Sequence, residues 1–179
     1  MTIEAAASLW AAVRAQSPAL LAFGGDSAIE LLSAGVVLWR FQRPASEERA
    51  ERRAARIAGI LLLVLAVYVA GVSALTLLGY SEPKPSRLGI AILALAAIVM
   101  PWLAREKRRL SSVTGSAALR ADAAESMLCA YLSLIALVGL STHAFFGFGW
   151  ADPVAALAIT PFIVWEAREA LRGKPCSCG

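Results

Sequence analysis

Histidine occurs once and cysteine three times in this 179-residue chain, and only 17% of its residues are charged. Three cysteines do not make a disulfide framework, which excludes the class of small secreted domains held by cross-links. The lone His143 leaves no Ser/His/Asp set and no His-Glu-x-x-His pattern, so an enzyme is not expected. The N terminus carries no basic stretch ahead of an apolar run, and nothing there reads as a signal peptide. What the chain does have is apolar bulk: 59% hydrophobic residues and a mean hydropathy of +0.66. Disorder is excluded by that content, and so is an ordinary water-soluble domain. The length allows one domain, and the expectation is an integral membrane protein.

Crossing about 30 Å of hydrocarbon takes about 20 predominantly apolar residues. Five stretches qualify: Pro18–Trp39, Ile57–Tyr80, Leu88–Ala104 ending at Pro101-Trp102, Ser126–Ala151, and a last one from Asp152 through Trp165 towards Arg172. Asp152-Pro153 reads as an N-cap followed by proline in the first turn. Ile3–Val13 is helical in composition but only about half a span long. It reads as an interfacial helix or as part of a first helix, occupying residues 1–16 ahead of a transmembrane domain over 17–173. Small residues in the second stretch (Ala66, Ala70, Gly71, Ser73 and Ala74) suit close helix packing.

The net charge is +4, and its placement is informative. Arg40, Arg43, Arg49, Arg52, Arg53 and Arg56 share one loop, and Arg105, Lys107, Arg108 and Arg109 another. Arg168, Arg172 and Lys174 lie in the C-terminal segment, while the alternate loops carry only Lys84 and Arg87. The positive-inside rule places the rich loops and the C terminus in the cytoplasm. The basic clusters are thus topology signals, with a subsidiary contact to anionic lipid, and nucleic acid is not an expected partner. The expected location is a bacterial-type inner or plasma membrane.

Acids inside two of the spans carry the chemistry. Laid over Ser116–Cys129 at an offset of 99, Ser17–Glu30 is identical at five positions, and Asp26 falls on Glu125 while Glu30 falls on Cys129. The two helices run in opposite senses, as do the repeats that place substrate sites near a bilayer midplane. Residues four apart share a helix face, so Asp26 pairs with Glu30 and Glu125 with Cys129. Antiparallel packing would set Asp26 level with Cys129 and Glu30 level with Glu125. Three carboxylates and one thiol would then converge, the donor number of a tetrahedral divalent site. A carboxylate at the centre of a membrane helix costs about 2.5–3.5 kcal/mol or more, and no Lys, Arg or His falls at the same depth in the sequence to offset it. Asp122, just before Glu125, reads either as an entry ligand or as a structural partner of Arg120 or of a helix end. Taken alone, Cys129 would read as a small buried hydrophobe.

The segments SPALLAFGGDSAIELLSAGVVLW, GSAALRADAAESMLCAYLSLIALVGL and WADPVAALAI resemble the second, fifth and sixth helices of the cation diffusion facilitator family. The nearest likeness is to its short members, which include the vertebrate transmembrane protein 163 group. The resemblance implies an all-α, six-helix transmembrane bundle with an inverted pair of site helices, here with a shortened first helix. It also implies divalent-metal/proton exchange by alternating access, a homodimer, and a fourfold metal site at Asp26, Glu30, Glu125 and Cys129. The family's usual residues there are Asp or His, then Asp, on each helix, so this chain departs at three of the four positions. The family's cytoplasmic metal-binding domain and its His-rich loop are both missing from the expectation, and residues 174–179 read as a short cytoplasmic tail.

Carboxylates bind metal and protons in competition, which would couple the two fluxes. One thiolate among oxygens favours borderline metals, so zinc is the first choice as substrate, with cadmium, cobalt, iron and manganese open. Cys176 and Cys178 in the tail PCSCG could grip a soft ion, but two ligands do not close a site, and the tail reads as a reduced terminus. The competing expectation is a membrane protein that binds metal without transporting it and serves a partner.

Overall fold

In the computed structural model, residues 2–41, 47–114 and 117–172 are described, with 33–41, 47–55, 111, 114 and 117–122 described as backbone only. They form six helices and no strand: α1 Thr2–Ala15, α2 Pro18–Phe41, α3 Glu47–Leu77, α4 Arg87–Thr114, α5 Ala117–Phe146 and α6 Ala151–Arg172. By length and composition three stretches are apolar enough to cross a membrane: Arg56–Leu77, Arg87–Leu110 and Ala123–Phe146. Among the described residues α2 and α6 fall short of that measure, and both carry acids in their apolar runs. Large apolar side chains such as Ile60, Val64, Val67, Leu95 and Ile98 point outwards, as lipid-facing positions do in a helical bundle.

Local chemistry sets most helix ends. Ser17 caps α2: its Oγ accepts the Leu20 N–H at 3.2 Å, and Pro18 occupies the first helical position, where no N–H is needed. Ser86 caps α4 the same way through Gly89 N–H at 3.0 Å. Gly79, at φ 86°, closes α3, with Tyr80 N–H reaching back to the Leu75 carbonyl in the 6→1 bond of a Schellman motif. Gln16 does the same for α1 at φ 51°, with Ser17 N–H on the Ala12 carbonyl at 3.2 Å.

The stretch Leu88–Ala104 lies within α4, which runs on to Thr114, because neighbouring helices make the interior Pro101 tolerable in a membrane bundle. Two expectations are corrected here. The stretch expected to reach Ala151 ends as α5 at Phe146, turning at Gly147 (φ 71°). Asp152 is not the N-cap of α6. That helix starts at Ala151, with Val154 N–H on the Trp150 carbonyl. The Asp152 carboxylate instead crosses the bundle to accept the Ser17 hydroxyl at 2.7 Å.

The packing positions α2 at the centre. It touches α1, α3, α5 and α6, while α4 lies along α5 and α3 along α6. α1 is part of the bundle, burying Ala5, Ser8, Ala11, Ala12 and Ala15 against it. A Cβ placed on Gly139 would collide with that of Ala155 and meet the Ala151 carbonyl at 3.0 Å, so glycine is what lets α5 approach α6 there. Pro161 lies within α6.

Candidate metal site

Asp26 lies mid-way along the apolar part of α2 with 1% of its surface exposed, and Glu30 sits one turn further, half-buried. Asp26, Glu30 and Glu166 of α6 each offer a carboxylate oxygen within 4.8 Å of the others. Asp26 Oδ1, both Glu30 oxygens and Glu166 Oε2 are buried without a hydrogen-bond partner. Carboxylates gathered with so many oxygens unpartnered hold either protons or a cation.

The sequence-predicted residues divide. Asp26 and Glu30 come together as expected from their spacing. Cys129 is buried at 1% exposure near the Ser27 hydroxyl, with Glu30, Glu4 and Asp26 as its charged neighbours. Glu125 counts among the charged neighbours of Glu30, but its side chain is exposed. Neither Glu125 nor Cys129 belongs to the 4.8 Å group. The side chains of Asp122 and Arg120, and the whole of Cys176 and Cys178, lie outside the described residues.

Two residues escaped the sequence reading. Glu166 sits on the inward stripe of α6, seven residues after Ile159 and three after Ile163, both fully buried. That register was legible, but the Arg168 and Arg172 beside it drew the segment into the cytoplasmic end. Lys107 corrects the expectation that no basic residue shares the depth of the acids. α4 carries it inwards, its Nζ donates to Ser126 Oγ at 2.9 Å, and it is a charged neighbour of Glu30. Glu4 of α1 is another. The polar interior thus draws on five of the six helices, with α2 supplying its centre.

Residues 1–173 match the cation efflux transmembrane domain family. The chain is also 30% identical, over an alignment of 173 residues, to an uncharacterized transporter of the cyanobacterium Synechocystis. That alignment covers 87% of this chain and 53% of the relative. The chain therefore spans about half the length of the curated relative it matches.

Proposed function

The chain belongs to the cation efflux family, whose members are membrane transporters of divalent metal cations rather than enzymes, and from that premise we propose that this protein exports a divalent transition-metal ion, zinc first, in exchange for protons. The observation that carries this most directly is the Asp26–Glu30 pair on α2, with Asp26 Oδ1 and both Glu30 oxygens buried without a hydrogen-bond partner. Carboxylates so placed take up a dication when open to one compartment and protons when open to the other, and each occupant displaces its competitor. Metal and proton fluxes are then coupled through the same oxygens.

In this reading Asp26 and Glu30 are the first ligands, with Glu125 and Cys129 of α5 supplying the opposing donors as the bundle changes its opening. The Cys129 sulfur tilts the preference towards zinc or cadmium, while the carboxylates keep cobalt, iron and manganese acceptable. The bundle lies in an inner or plasma membrane, C terminus in the cytoplasm, as two copies.

The test is uptake into liposomes holding the purified protein, with zinc, cadmium, cobalt, iron and manganese compared under an imposed pH gradient. Metal flux that follows the gradient and vanishes in Asp26→Asn supports the exporter. A correctly inserted wild type that moves none of the five metals overturns it in favour of a non-transporting metal-binding protein.

A further inference from the structure

We propose that Glu166 of α6 is a direct ligand of the transported cation, joining Asp26 and Glu30 in a three-carboxylate site. The proposal rests on the transport reading above and adds a donor from a helix that the internal sequence repeat does not include. The three carboxylates lie within 4.8 Å of one another. A dication bound by oxygen at about 2.0–2.2 Å needs donor atoms no more than roughly twice that apart, so the spread closes on an ion by small side-chain adjustments.

The second observation is at the centre of the group. Asp26 is 1% exposed and meets the Glu166 carboxyl directly, yet its Oδ1 has no hydrogen-bond partner, so the most buried carboxylate of the three keeps an oxygen free. Glu166 in turn leaves Oε2 buried and unpartnered. Asp152, by contrast, spends one oxygen on a structural bond, its Oδ1 accepting the Ser17 hydroxyl at 2.7 Å, although its Oδ2 is likewise buried without a partner. The half-buried Glu169, three residues on, meets Arg172 at 3.4 Å. Glu166, between them on the same helix, turns inwards to two other acids.

The chemistry has a consequence for selectivity. Three carboxylates leave coordination positions for water and suit oxygen-preferring ions such as manganese as well as zinc. Replacing one of the three by imidazole should favour zinc over manganese, since nitrogen donors suit the former.

The experiment is equilibrium binding of zinc and of manganese to the purified protein in detergent, by calorimetry. Glu166→Gln, Glu166→His, Asp26→Asn and the surface control Glu169→Gln are compared with wild type. Outer-shell partners of a metal commonly contribute 10–100-fold to affinity, so removing a direct ligand in Glu166→Gln should weaken binding about 100-fold, while Glu169→Gln stays within about twofold. Glu166→His should bind again, with its zinc-to-manganese ratio raised. Should Glu166→Gln fail to fold, that ratio in Glu166→His still decides, because a residue outside the coordination sphere would leave it unchanged. Wild-type affinity in Glu166→Gln together with lost binding in Asp26→Asn overturns the ligand role of Glu166 and leaves the transport site standing. Wild-type affinity in Asp26→Asn as well overturns the site itself.

Discussion

Ser17 makes two bonds with one hydroxyl, and that doubling gives a stability prediction that can be worked in advance. Its Oγ accepts the Leu20 N–H at 3.2 Å, capping α2, and donates to Asp152 Oδ1 at 2.7 Å, tying the start of α2 to the start of α6. Both residues are buried, at 2% and 0% exposure. Losing an N-cap costs about 1 kcal/mol, and losing a hydrogen bond to a charged group about 1.5–3 kcal/mol. Ser17→Ala should therefore destabilise the bundle by about 2.5–4 kcal/mol. Asp152→Ala keeps the cap but loses both the shared bond, about 1.5–3 kcal/mol, and the bond its carboxylate makes with the Ala19 backbone, so it should cost at least that much. Because the shared bond can be lost only once, the double variant should fall short of the sum by that same amount. Reversible unfolding in mixed detergent micelles, followed by loss of helical circular dichroism, measures all four corners of the cycle. A coupling below about 0.5 kcal/mol, the ordinary scatter for independent sites, would refute the tie between the two helix starts.

Gly139→Ala should destabilise the bundle by about 1–3 kcal/mol by overpacking, despite the roughly 1 kcal/mol gained by removing a helical glycine. Gly71→Ala, where an added Cβ meets nothing within 4 Å, should be neutral or stabilising in the same unfolding assay. Cys129→Ser should lower the preference for cadmium over manganese in liposome uptake about tenfold while leaving flux measurable, since it trades a soft donor for a hard one; an unchanged metal profile would remove the thiol from the site.

The helical class was legible because hydropathy dominates the sequence: the run from Ile57 to Tyr80 contains no charge and appears as the apolar part of α3. The Asp26–Glu30 pair was legible from a spacing of four on one helix, a local relation that folding does not alter. What depends on partners was not. Asp152 carries the residue type of an N-cap, yet its carboxylate is taken by Ser17, which is 135 positions away in the chain. Glu166 and Lys107 each sit among arginines that dictate orientation, and a count of charges by loop assigns every member of such a cluster to the same side. Which of them turns inwards is settled by helix phase: Glu166 follows the register of Ile159 and Ile163, whereas Arg168 is exposed. The inverted repeat located two helices of the interior and was silent about the third carboxylate, because α6 has no counterpart in it.

Pro161 gives α6 a mechanical character that its neighbours' grip makes useful. Proline has no N–H, so the Leu157 carbonyl loses its helical donor, and bending is least costly at that turn. On the N-terminal side of the break Asp152 is anchored to Ser17; on the C-terminal side, five residues beyond it, lies Glu166. At 1.5 Å of rise per residue, a bend of about 20° swings that position by roughly 2.5 Å. That is more than a metal–oxygen bond length, so a bend of that size at Pro161 would be enough to carry the Glu166 carboxylate into or out of reach of Asp26 and Glu30.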